Sequence, residues 1–405
     1  GIGVLISVSL AGDLLGTLVI GRKADSWGRR RTLVMLALLM AATGLVFGLV
    51  GWYPLLLVAA FFGTLGTSAS ETAPFLPIEQ AMLGQVGTAQ DSRRRFARYN
   101  LVAVMAAALG ALAAGVPDAL TDYGVPTEVS LPLVSALYAI VALVVALLAA
   151  RLSSAVEAPV VARDHDPLTG GDSTDLLPQT RRWSVFPSLP HSRRTVLRLS
   201  GLFSLDAFAG GLIAQTLMAL YFHLRFDVSL GLLAVLFFGA NLFSALSFLA
   251  APTLARRFGL LNTMVFTHLP SNLLLLFVPL MPTFPLAAAM LLLRQCLSQL
   301  DVPTRQAYTM ALVTPQESTA AASATSVARS AGAAASPALA GALLRGSLLT
   351  LGAPFLVAGA LKAIYDLALW AIFRHVRLPQ NDMETTREPS TAALQPLNSA
   401  RETPG

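Results

Sequence analysis

Apolar residues run for about 20 positions at a time, then give way to short polar stretches rich in Arg, Gly and Pro. This alternation continues along nearly the whole chain. A helix rises about 1.5 Å per residue, so about 20 apolar residues match a bilayer core of about 30 Å. Eleven transmembrane helices are predicted, at 1–20, 33–51, 54–80, 98–116, 131–150, 196–222, 230–250, 263–281, 284–312, 322–345 and 353–374. Many are rich in Gly and Ala, which lets helices approach closely in lipid.

Composition agrees with this pattern. Of 405 residues, 55% are hydrophobic and only 12% charged, about half the charged share of a soluble domain. A net charge of +6 would suit a nucleic-acid partner, but the placement of the cations argues against one. They gather at 21–32, 81–97, 151–195 and 251–262 and in the tail from 374. The alternate loops, near 52, 117–130, 223–229, 282 and 346–352, hold Arg225, with Arg345 at the rim. By the positive-inside rule the first set is cytoplasmic. The chain is expected to be an integral multi-pass protein of a bacterial inner (plasma) membrane, starting outside and ending inside.

Other chemistries find no support. Cys296 has no partner, so there is no disulfide framework. The start at Gly1 lacks the charged region and cleavage site of a signal peptide. Five scattered histidines show no metal-ligand spacing, and no P-loop or Ser/His/Asp set is present. No cofactor, metal or enzymatic activity is expected.

Sliding the chain by 226 residues lays "PIEQA" at 77–81 on "PTRQA" at 303–307, "TAQDS" on "TPQES", and Ala114-Gly115 on Ala340-Gly341. A slide of 231 lays "ADSWGRRRTLV" at 24–34 on "ARRFGLLNTMV", matching Gly28 with Gly259 and Thr32 with Thr263. Two copies of one design are therefore expected, as in many secondary transporters. Nothing in the first copy matches 196–222, so a twelve-helix plan lacking its first span is expected. The predicted division is a five-helix half at 1–150, a linker at 151–195, a six-helix half at 196–375 and a disordered cytoplasmic tail at 376–405.

The stretch "GRKADSWGRRR" at 21–31 carries the most specific signal. It follows an apolar span and reads Gly, three residues, Asp, two residues, Gly, then basic residues. On this motif the chain resembles the major facilitator superfamily over residues 1 to 375. The resemblance implies an all-α membrane fold of two pseudo-symmetric helical bundles, with eleven of twelve helices present. It also implies a gating latch made by Gly21, Arg22, Asp25, Gly28, Arg29 and Arg30, with Asp25 the latch acid and Arg29 a partner. In the second copy the acid is replaced by Arg256 and the first Gly by Pro252, so that latch is degenerate.

Ionisable residues inside spans cost roughly 2.5–3.5 kcal/mol each and usually face a cavity or a partner. Asp13, Glu71, Asp206, Arg294, Asp301 and Arg329 are the candidate proton or substrate sites. Asp206, mid-span before "AGG", is favoured as a protonatable acid. Arg294 and Arg329 would either hold an anionic substrate or neutralise an acid. Glu79 and Arg305, repeat mates of opposite sign, form a candidate gate between the halves, unless Arg305 pairs with Asp301. Lys362 and Asp366, four apart, are predicted to pair with each other. The expected function is secondary active transport of a small-molecule substrate by alternating access, coupled to protons and directed to efflux. A transport-fold scaffold or receptor and an uncoupled uniporter are the rivals. The protein is expected to be a lipid-embedded monomer.

Overall fold

The computed structural model describes residues 1–63, 74–75, 78–79, 82, 89–153, 156–157, 192–313, 317–344 and 351–376. The side chains at 21, 22, 25, 89–97, 100, 127 and 318–320 lie outside that description, as does all of residue 71. The described residues form helices and no strands. The first group is α1 (Ile2–Trp27), α2 (Arg29–Leu49), α3 (Tyr53–Phe62), α4 (Ala89–Ala113), α5 (Val116–Asp122) and α6 (Thr127–Ala150). The second is α7 (Arg193–Leu212), α8 (Gln215–Phe226), α9 (Leu230–Phe258), α10 (Leu260–Phe277), α11 (Phe284–Ser298), α12 (Asp301–Ala311), α13 (Ser318–Ala335), α14 (Pro337–Leu343) and α15 (Ala353–Phe373).

Eight described segments are long and apolar enough to cross a membrane. The other three expected spans have identifiable departures. Of 54–80, only α3 is described as a continuous helix. The 284–312 span breaks between α11 and α12 at Gln299 and Leu300, just before Asp301 and Pro303. The 322–345 span breaks at Ser336, where Pro337 lacks the N–H needed to continue a helix and opens α14 instead.

The expected 21–32 loop is also shorter than its composition suggested. α1 continues through Gly21 to Trp27, and the turn falls on Gly28 alone, with φ 91°. A side chain would be strained there. Its repeat mate Gly259 takes φ 81° between α9 and α10. Matched positions thus make the same chain reversal, and Thr32 and Thr263 follow each by four residues.

Within the first group α2 packs along α6, and α1 along α3. Within the second, α7 packs on α13 and α15, and α10 packs on α11, α12 and α15. The groups meet through α1 on α13 and α14, and through α9 on α4. These two meetings are reciprocal, because α9 is the repeat mate of α1 and α13 is the mate of α4. Reciprocity of this kind is what a two-fold relation between copies produces.

Candidate functional site

Asp206 lies near the middle of the 193–226 span and is 3% exposed. Lys362 Nζ, from α15, donates to its Oδ1 at 2.5 Å. Arg329 Nη1 from α13 and Arg305 Nη1 from α12 donate to its Oδ2 at 3.2 and 3.4 Å. Arg305 also donates to Asp301 Oδ2 at 2.9 Å, one helical turn away, and its guanidinium stands 5.6 Å from the Phe203 ring centre. One carboxylate therefore ties together three helices that approach α7 from different directions.

A second acid sits one turn further along α15. Asp366 is fully buried. Its Oδ1 lies 2.9 Å from His268 Nδ1, and Asn272 Nδ2 donates to its Oδ2 at 2.8 Å. His268 and Asn272 share a face of α10, being four residues apart. Tyr365 fills the space beside them, with ring contacts to both His268 and Phe203. The predicted Lys362–Asp366 pair is thus replaced by two separate partnerships. Helical spacing allowed the pair, but tertiary contacts from α7 and α10 take both side chains.

Arg294 is buried on α11, and its Nη1 donates to Gln295 Oε1 at 2.8 Å. Asp13 is buried on α1, the helix that packs on the Arg329-bearing α13. Glu79 and Arg305 are not brought together: Tyr99 donates to Glu79, and Arg305 turns to Asp301 and Asp206. Glu71 lies outside the described residues. His268, Asn272 and Tyr365 were not singled out from sequence. A His and an Asn four apart in an otherwise apolar span were the signal available.

At the Arg-rich end, α2 begins directly after Gly28. Glu157 receives the Arg29 backbone N–H at 2.7 Å on Oε2 and that of Arg30 at 3.3 Å on Oε1. Arg29 Nη1 and Arg30 Nη1 reach the carbonyls of Val156 and Leu152 at 3.4 and 3.3 Å. An acid on two free N–H groups at a helix start satisfies both and complements the helix dipole. The side chains of Gly21, Arg22 and Asp25 lie outside the described set, so the acid seen on the α2 start is Glu157.

At the opposite end the two groups touch through very small residues. A Cβ added to Gly341 would lie 2.8 Å from Gly3 Cα, and one added to Gly115 would lie 2.8 Å from Ala234 Cβ. Under the repeat, Gly115 corresponds to Gly341 and Gly3 to Ala234, so these are one contact made twice. Each is pinned by a hydrogen bond across the groups. Ala338 N donates to Ser7 Oγ at 3.0 Å, and Gly231 N donates to Asp118 Oδ2 at 2.8 Å.

Apolar helices in two reciprocal groups, with charges buried between helices, define a polytopic membrane transporter fold. The family model described as "Major Facilitator Superfamily" matches residues 1–337, and the chain belongs to that family. An uncharacterized membrane protein of Saccharomyces cerevisiae, YJR124C, is 29% identical over 386 residues, 92% of this chain and 86% of its own. Among solved structures, the nucleoside transporter NupG superposes with a TM-score of 0.63 at 14% identity, covering 93% of this chain and 90% of that one. The human organic anion transporter MFSD10 superposes with a TM-score of 0.56 at 20% identity, covering 91% and 83%.

Proposed function

We propose that this chain is a secondary active transporter that carries a small molecule by alternating access and couples the movement to protons. One observation carries the reading: a mid-span cluster of ionisable side chains, drawn from α7, α10, α12, α13 and α15, in a bundle whose groups close through matched glycine contacts at one end. Burying charge at that depth is costly, and partners that can be exchanged during a cycle give the cost a purpose. The two solved neighbours carry different cargo by their names, so likeness to them speaks for the fold and not for the cargo.

The positive-inside rule assigns the Arg-rich end to the cytoplasm. The end with the glycine contacts is then external, and on this reading those contacts close the bundle to the outside. In the proposed cycle Asp206 holds α12, α13 and α15 together, and a proton or substrate arriving at the cluster redistributes its ion pairs. The expected proton carrier, Asp206, is held by three cations, so the proton is assigned instead to the Asp366 carboxylate, which no cationic Lys or Arg touches among the described residues. Asp206 from α7 acts on both members of the His268–Asp366 pair through space, Tyr365 touches the His268 ring, and Lys362 lies one turn away on α15. Lipid surrounds the bundle, and the protein works as a monomer.

Reconstitution tests this reading. Vesicles containing the full chain and a trapped pH dye are challenged with small metabolites one at a time. At least one compound should drive proton movement in the wild type and none should in Asp366→Asn. Labelled compounds crossing without any proton movement would remove the coupling. A failure of every compound to cross would remove transport itself.

A further inference from the structure

Arg294 differs from every other cation in the cluster. Arg305, Arg329 and Lys362 each reach a carboxylate of Asp206 or Asp301. Arg294 is 7% exposed, and among the described residues no carboxylate lies within ion-pair distance of it. Its Nε is buried with no hydrogen-bond partner, and its side-chain partner is the neutral Gln295, whose Oε1 is shared with Ser298 Oγ at 2.7 Å. Asp206 and Asp301 act on it through space but not in direct contact, and the helices flanking it bring no further acid. α11 packs between α9 and α10, and none of the three helices contains an Asp or Glu. Asp206 and Asp301 are already committed to other cations.

A guanidinium stays charged at any pH a protein meets, and burying it without an anion costs more than one neutral hydrogen bond returns. A buried arginine that no carboxylate touches among the described residues is therefore a candidate site for an anion. We propose that Arg294 is a cargo-binding residue and that the cargo is a small organic carboxylate, its two oxygens taken by the guanidinium fork. The proposal rests on the transport reading and supplies the cargo class that reading leaves open. A carboxylate is favoured because a planar fork matches two coplanar oxygens. Binding would satisfy Nε, give the buried charge its counter-ion, and place a new anion beside a network of ion pairs that can rearrange in response.

The test uses thermal unfolding of the purified full chain in detergent, with hippurate and glutarate as anionic probes and their uncharged amides as controls. Chloride is held constant throughout. Either anion should raise the wild-type midpoint and the amides should not. The Arg294→Met variant should lose the shift. Arg294→Lys keeps the charge but not the fork, and should weaken apparent affinity at least tenfold. Without ligand, R294M should melt near the wild type, because no carboxylate is in direct contact with Arg294 and the desolvation of its charge is relieved. The proposal is overturned if neither anion shifts the wild type, if the amides act as well as the anions, if R294M responds normally, or if ligand-free R294M melts well below the wild type. Flux in proteoliposomes separates this proposal from the transport reading. Anion binding through Arg294 with no flux of that anion would sink transport and leave the site. Flux of an uncharged probe unaffected by R294M would do the reverse.

Discussion

The two groups of helices share a plan but divide the chemistry. Among the described residues, the buried ionisable side chains of α1–α6 are Asp13 and Arg29. Those of α7–α15 include Asp206, His268, Arg294, Asp301, Arg305, Lys362 and Asp366. The first group instead contributes close-approach surfaces: Gly3 and Gly115 are its half of the matched contacts between the groups at one end. A duplicated fold does not oblige both copies to do the same work. One copy can hold the charges while the other serves as the wall that rocks against it.

The largest expected effect sharpens that division. Asp206→Ala strips the shared acid from Lys362, Arg305 and Arg329. Breaking a buried ionic group this way costs about 3–5 kcal/mol. Thermal unfolding in detergent should show the loss, and transport should disappear with it. Replacing Asp13 by Ala in α1 should do less on both measures. An equal loss in the two variants would erase the proposed asymmetry.

Next is the seal. Leu at Gly115 would drive a side chain into Ala234 and the Gly231 backbone, and overpacking of that kind costs about 1–3 kcal/mol. The variant should favour separation of that end. A cysteine placed at Ser7 should then react faster with a membrane-impermeant maleimide, and an unchanged rate would show that the contact is not a gate. Leu at the repeat mate Gly341 should act alike, because it meets Gly3 in the matching contact.

The smallest effect belongs to the Arg-rich end. Glu157→Ala removes the acceptor for two backbone N–H groups at the start of α2 and should cost about 1 kcal/mol. A modestly lower unfolding midpoint with transport retained is expected. Complete loss of transport would move Glu157 from capping into the working parts of the cycle.

Much of this was legible in the chain. Hydropathy gave eight of the eleven spans, and the repeat aligned Gly28 with Gly259, which make matched turns. Each charged member of the Asp206 cluster stood out because charge is rare in apolar spans. Partners were not legible. Lys362 and Asp366 have the spacing of an intrahelical pair, and only the packing of α7 and α10 against α15 sends them to Asp206 and to His268 with Asn272. Such contacts join residues about a hundred or more positions apart, beyond the reach of any periodicity. Glu157 was missed for a related reason. It sits in a polar stretch where an acid carries no signal until the α2 start is placed against it.

Alternating closure of the two ends is the central claim, and it can be measured without knowing the cargo. In a Cys296→Ser background, one spin-label pair replaces Tyr123 and Arg225 at the glycine-sealed end, and a second replaces Arg31 and Arg374 at the Arg-rich end; all four positions are exposed. Pulsed electron–electron distance measurements across a pH series should find two populations for each pair. The long population of one should grow as the short population of the other grows. A single invariant distance at both ends, or both ends opening together, would contradict the account.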